Sequence, residues 1–179
     1  MPKNILVLST SPRRQGNSDQ LADAFIRGAQ DAGHRTEKIA LREKDLTFCK
    51  GCMACQKTGR CIINDDAREI TQKMLTADVL VFATPVYYYA MSGQMKTLLD
   101  RSNPLYNTDY AFRDIYLLAA AADEDASAVD GVKAGLSGWI ICFPKAYLAG
   151  TVFAGGVESP GQIQDHPALS EAYEAGKNV

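Results

Sequence analysis

Asp78–Pro85 reads DVLVFATP, a run that is apolar without alternation. A strand with one wet face alternates polar and apolar residues, whereas a central strand of a parallel sheet is covered on both faces and stays apolar throughout. Working outward, the chain repeats one pattern. Upstream lie an apolar strand NILVLS (residues 4–9), a helix from Ser18 with Leu21, Phe25 and Ala29 on one face, and a strand-like HRTEKIAL (34–41). A helix start at Asp65 and Asp66 leads into the run itself, with Ile70, Met74 and Ala77 as its buried face. Downstream come a helix over Gly93–Arg101, a strand DIYLLAAAA (114–122), a helix over Ala126–Ile141 and a strand over Leu148–Phe153. A terminal helix closes the chain, capped by Asp165, with Pro167 in its first turn and its end before Gly176. Five strands alternating with helices predict an α/β fold, an open, doubly wound five-stranded parallel sheet with helices on both faces. No repeat or linker interrupts it, so residues 1–179 read as a single domain.

The bulk composition narrows the possible partners. With 46% hydrophobic and 22% charged residues the chain has the make-up of a soluble globular protein, and its net charge of -2 offers no basic surface for nucleic acid. The apolar opening, Ile5 to Leu8, is too short for a signal peptide, and no stretch reaches 18 apolar residues. The expectation is a cytoplasmic protein without a membrane partner. In that reducing compartment clustered cysteines read as metal-binding or redox-active.

Ligands of such sheets sit beyond the carboxyl ends of the strands. The loop after the first strand, Ser9-Thr10-Ser11-Pro12-Arg13-Arg14-Gln15-Gly16-Asn17-Ser18, opens a helix and is rich in donors. Ser11, Asn17 and Ser18 offer neutral donors and Arg13 a charged one beside the partial positive charge of a helix N-terminus. Gly16 is the only glycine, so there is no dinucleotide fingerprint, and a terminal monophosphate fits best. The loop after the third strand, Thr84 to Gly93, carries Tyr87, Tyr88 and Tyr89, suited to lining a flat ring or packing a subunit interface. Lys96 and Arg101 read as solvated or ion-paired, and His34 and His166 as structural.

Cys49, Cys52, Cys55 and Cys61 fall within thirteen residues as C-x2-C-x2-C-x5-C. On a helix a repeat of three would scatter them round the cylinder, so they suit a loop wrapping a centre. The spacing approaches the bacterial iron–sulfur run, with a longer last gap and Ile62 where that run has proline. A [4Fe-4S] cluster, free or reversibly bonded thiols, and zinc all stand as readings. Cys142, in the apolar WIICF run, reads as a buried core thiol.

SPRRQGNS, TPVYYYAMSGQMKTLLDR and the cysteine loop running into Asp65-Asp66, in this order, resemble the NADPH-dependent FMN reductase-like branch of the flavodoxin-like superfamily, in particular its iron–sulfur flavoproteins. The resemblance spans nearly the whole chain, the closing DHPALSEAYEAGKNV included. It implies a flavodoxin-like sheet holding FMN, with Ser11, Arg13, Asn17 and Ser18 at the phosphate, Ser9, Pro12 and Gln15 completing that loop, and Pro85, Val86, Tyr87 and Tyr88 flanking the ring. It further implies NAD(P)H as donor, a small acceptor such as a quinone, nitro or azo compound, and a homodimer or homotetramer. The alternative it offers is an electron carrier whose [4Fe-4S] centre exchanges electrons with ferredoxin. The loop after the fourth strand departs from the family pattern: Ala119 to Ala122 run into Asp123-Glu124-Asp125.

Overall fold

The computed structural model describes residues 1–106 and 108–179. In chain order the elements are β1 (Asn4–Ser9), α1 (Asn17–Asp31), β2 (Arg35–Ala40), α2 (Ala54–Thr58), α3 (Ala67–Thr76), β3 (Val79–Tyr87), β4 (Ala90–Met91), α4 (Gly93–Arg101), β5 (Asp114–Ala120), α5 (Asp130–Ile140), β6 (Tyr147–Ala154) and α6 (Ala168–Lys177). Among the described residues β2, β1, β3, β5 and β6 lie side by side in that order, all parallel. The two-residue β4 pairs antiparallel with the end of β3.

β3 shows why DVLVFATP is apolar throughout. Val79, Val81 and Ala83 enter one core with Leu21, Phe25 and Ala29 of α1 and Ala172 of α6. Leu80 and Phe82 enter the other, with Met74 of α3, Leu98 of α4 and Val132 of α5. Alternate side chains of a strand point to opposite faces, so a strand buried on both cannot alternate in polarity. A parallel sheet flanked by helices is the result.

Several boundaries differ from the sequence reading for local reasons. The helix expected over Ala126–Ile141 is a 3-10 turn, Ala126–Val129, followed by α5. The terminal helix has Pro167 at its N-cap in place of Asp165, and the Ala168 N–H donates to His166 Nδ1 at 3.1 Å. Gly176 lies inside α6 instead of ending it: a Cβ there would strike the Phe25 carbonyl of α1, and one at Gly28 would strike the Tyr173 carbonyl of α6. These glycines let two helices meet backbone to backbone. Cys142 is exposed, not a core thiol, because α5 ends at Ile140 and the turn behind it faces Ile141 and Cys142 outward.

Candidate functional site

α1 starts without a side-chain cap, Gly16 being extended at its N-cap with no side-chain hydrogen bond. The N–H groups of a first helical turn have no partner within the helix. Here they open on a cavity of about 260 Å³ lined by Ser11, Arg13, Asn17 and Ser18, by Pro85, Val86 and Tyr87 at the end of β3, by Ala120 to Ala122 after β5, and by Val157 and Glu158. The Ser18 hydroxyl is buried at the cavity and has no hydrogen-bond partner among the described residues. A buried donor without an acceptor costs about 1–3 kcal/mol, so this one is set for an oxygen-rich guest. A Cβ at Gly16 would press on Ser11 Oγ, and glycine therefore keeps the cradle open.

Of the residues expected at the site, Ser11, Arg13, Asn17, Ser18, Pro85, Val86 and Tyr87 come together at this cavity. Ser9, Pro12, Gln15 and Tyr88 do not line it. Ser9 Oγ donates to Asp19 Oδ1 at 2.5 Å and the Gln15 N–H donates to Asp19 Oδ2 at 3.2 Å. Asp19 also pairs with Lys38 at 2.8 Å and Arg42 at 3.4 Å. Burial pushes the Asp19 carboxyl up, but hydrogen bonds from Lys38 and Ser9 and the two cations outweigh it and hold its pKa below the ordinary carboxylate value. Asp19 thus fixes the loop from behind. Asn17 Nδ2 holds the far wall, donating to the carbonyls of Val157 and Ser159 at 3.2 and 3.1 Å. Arg13 Nη1 donates to the Glu158 carbonyl at 3.0 Å.

A chain of buried hydroxyls joins the two loops, and Thr10, Thr84 and Ser92, which make it, had no role in the sequence reading. Thr10 Oγ1 donates to the Ala83 carbonyl at 3.0 Å and accepts from Ser92 Oγ at 2.9 Å, while Thr84 Oγ1 accepts the Ser92 N–H at 3.1 Å. Ser92 also caps α4 by accepting from Met95 N. Polar residues ending an otherwise apolar strand were the available signal.

Tyr88 and Tyr89 form the two-residue loop between Tyr87 and Ala90, with φ of 49° and 60°. Hairpin loops of this length favour Asn-Gly, because positive φ strains a bulky residue. The surroundings hold the strained form in place. Tyr89 Oη donates to Asp123 Oδ2 at 3.0 Å, and a Cβ at Gly131 would meet the Tyr89 carbonyl, so α5 abuts the turn. That hydrogen bond raises the Tyr89 phenol above its ordinary pKa. Tyr88 itself is fully exposed.

The cysteines are anchored but not gathered. α2 buries Cys55, whose Sγ accepts from Asn103 Nδ2 at 3.0 Å, while Cys49 and Cys52 are exposed and Cys61 is half-buried. Left-handed Met53, Gly51 and Gly59 bend the chain around this short helix. Among the described residues no three His, Cys, Asp or Glu side chains come together as a metal-holding group. A cluster needs four thiolates about one centre, and the thiols as placed here do not fit one. The segment is instead pinned by arginines. Arg68 donates to the Cys61 and Ile62 carbonyls, and Arg101, read as solvated or ion-paired, is ion-paired with Asp65 and fully buried. Lys96 pairs with Asp100 at 2.6 Å, as read.

The family model for NADPH-dependent FMN reductases matches residues 3–155. The chain belongs to that family. One relative of this FMN reductase family member, from Bacillus subtilis and named as an NAD(P)H-dependent FMN-containing oxidoreductase, is 30% identical over 94% of this chain and 93% of its own length. An iron–sulfur flavoprotein of Methanocaldococcus jannaschii is 41% identical, over 56% of this chain and 52% of its own. Matches of that kind span about half the length of the curated iron–sulfur relatives. Among solved structures, an NAD(P)H:quinone oxidoreductase from Methanothermobacter marburgensis superposes with a TM-score of 0.77 at 19% identity, covering 99% of this chain and 96% of its own, a likeness of fold. No helix of the family member described here is long and apolar enough to cross a membrane, among the described residues.

Proposed function

We propose that this chain binds FMN in the cavity between the loops after β1, β3 and β5, and moves electrons from NAD(P)H to a small acceptor such as a quinone, nitro or azo compound. The observation that carries the reading is the buried, unpartnered Ser18 hydroxyl beside the uncapped start of α1. It fits a terminal phosphate, and the absence of further glycines in residues 9–18 fits a mononucleotide better than a dinucleotide. Bound flavin supplies a carrier that accepts hydride from a nicotinamide and yields two electrons to an acceptor.

The residues divide the remaining work. Ser18, Ser11 and the first-turn N–H groups of α1 bind the phosphate, and Arg13 leaves the Glu158 carbonyl to add a charged donor. Pro85 to Tyr87 give a wall against which a flat ring lies, and Ala120 to Ala122 leave room opposite by being small. The hydroxyl chain through Thr10, Thr84 and Ser92 keeps the phosphate end and the ring end at a fixed spacing. The carrier alternative, with a [4Fe-4S] centre and ferredoxin, draws on cysteine spacing and the names of relatives, and the placement of the thiols gives it no support.

Reconstitution with FMN and FAD, followed by stopped-flow mixing with NADH or NADPH, tests the reading. FMN should bind and be reduced rapidly, with parallel-line kinetics against a quinone. Binding of FAD alone, or a flavin that stays oxidised in excess nicotinamide yet is bleached at once by reduced ferredoxin, defeats it.

A further inference from the structure

We infer that the acceptor this chain reduces best is cationic or neutral, and that Asp123, Glu124 and Asp125 enforce this by repelling anions from the mouth of the cavity. The inference rests on the flavin reading above and adds to it the charge of the substrate. These three carboxylates directly follow Ala120 to Ala122, which line the cavity. They are fixed in place there. Asp123 Oδ2 accepts from Tyr89 Oη at 3.0 Å, its Oδ1 accepts the Asp125 N–H at 2.9 Å, and Asp125 Oδ1 accepts the Ser127 N–H at 2.8 Å. Glu124 lies over Gly155 and Gly156, where a Cβ would meet it.

No cation answers them locally. The two segments that frame the ring end, residues 84–92 and 119–129, contain three carboxylates and neither lysine nor arginine. On the helices that follow, Lys96 pairs with Asp100 and Lys133 with Asp130. Arg13 belongs to the loop after β1, two strands from β5 in the sheet, a separation of about 10 Å at the usual strand spacing. Its guanidinium donates to the Glu158 carbonyl in this structure and, in the flavin reading, is taken up by the phosphate. Glu158 adds a negative charge to the same lining and Arg13 a positive one, so with Asp123, Glu124 and Asp125 four carboxylates stand against one cation. An anionic acceptor approaching the ring therefore meets unbalanced negative potential within one Debye length, about 8–10 Å at physiological salt. Charge of one sign around a cleft changes encounter rates by about 10- to 1,000-fold.

The oxidative half-reaction isolates the effect. FMN-loaded protein is photoreduced without nicotinamide and mixed with three quinones of matched potential bearing a quaternary ammonium, no charge, or a sulfonate. Each quinone takes up two electrons and two protons to leave as hydroquinone, the flavin returning to its oxidised form and water supplying the proton that does not travel as hydride. At low salt the cation should be reduced at least ~10-fold faster than the anion, and in 0.5 M salt the ratio should shrink towards ~2-fold. The Asp123→Asn/Glu124→Gln/Asp125→Asn variant keeps one acceptor oxygen at each of positions 123 and 125 for the Asp125 and Ser127 N–H groups and offers an amide NH2 to the Tyr89 hydroxyl oxygen, and in it the low-salt ratio should collapse while the neutral quinone reacts as before. Equal rates for cation and anion, a faster anion, or an unchanged ratio in the variant overturns the inference while leaving FMN binding intact. A chain that takes up no FMN fails the reading of the cavity, and this inference with it.

Discussion

Arg101, in the last turn of α4, and Asp65, just before α3, form a two-point ion pair in the interior, Nη1 to Oδ2 at 2.6 Å and Nη2 to Oδ1 at 2.7 Å. Arg101 also donates to the Thr47 carbonyl at 2.5 Å, and the Thr47 N–H donates to Asp65 Oδ2 at 2.9 Å. One buried guanidinium thereby ties both ends of the cysteine segment to the helix that begins at the ring loop. Removing either partner leaves an uncompensated buried charge. Asp65→Asn or Arg101→Met should cost about 3–5 kcal/mol in urea unfolding, and the paired Asp65→Leu/Arg101→Met variant should recover much of that loss.

Acid should expose the same pair. Burial raises the Asp65 carboxyl, but hydrogen bonds from Arg101 and the Thr47 N–H, with the Arg101 charge, bring its pKa below the ordinary 3.8. A carboxylate depressed on folding contributes stability in full above its unfolded value and loses it as pH falls through the folded one. Unfolding midpoints should therefore drop below about pH 4, and the Asp65→Asn variant should show a flatter profile over that span.

Ser18→Ala separates a ligand group from a structural one. The hydroxyl has no partner among the described residues, so the unliganded variant should unfold at the same urea concentration or slightly higher. FMN affinity should fall by about 1–3 kcal/mol in fluorescence titration, and Arg13→Ala should weaken it by about 1.5–3 kcal/mol. An unchanged dissociation constant in both would remove the phosphate from this loop.

The tyrosine turn stores strain. Tyr88→Gly relieves one left-handed non-glycine residue at an exposed position, and the protein should gain about 1 kcal/mol in thermal unfolding. A loss instead would show that Tyr88 makes contacts that outweigh its backbone cost.

Thiol accessibility gives a direct check on the cysteine segment. Iodoacetamide followed by peptide mass analysis should label Cys49, Cys52 and Cys142 first and Cys55 last, because Cys55 is the buried residue of α2 and is hydrogen-bonded to Asn103. Asn103→Ala should speed the labelling of Cys55 without changing that of Cys142.

What could be read in the sequence was what depends on periodicity. DVLVFATP declared its two covered faces, and the donor-rich loop after β1 declared an anion site, because both follow from local rules of burial and helix termini. What escaped reading depends on partners distant in sequence. Arg101 looks like any cation on an amphipathic helix until Asp65 is placed opposite it, 36 residues away. Ser9 and Gln15 read as cofactor-binding residues until Asp19 is seen to take the Ser9 hydroxyl and the Gln15 backbone N–H. Gly176 resembles a helix stop, and only the neighbouring α1 reveals it as a contact point. Cys142 sits in an apolar word that the end of α5 turns into surface.

The close seam between α1 and α6 also fixes where the chain can be attached to other things. Gly28 and Lys177 meet near the end of α1 that lies away from the cavity, and β1 begins at that same end of the sheet. Met1 and Val179 are thus both remote from the mouth, Met1 bare and Val179 resting on the α1 side of the core. A linker coupled to the exposed surface around Met1 and Lys177 can moor this protein to an electrode or a bead with its cavity turned to the solution, so that immobilisation and turnover do not compete for the same surface.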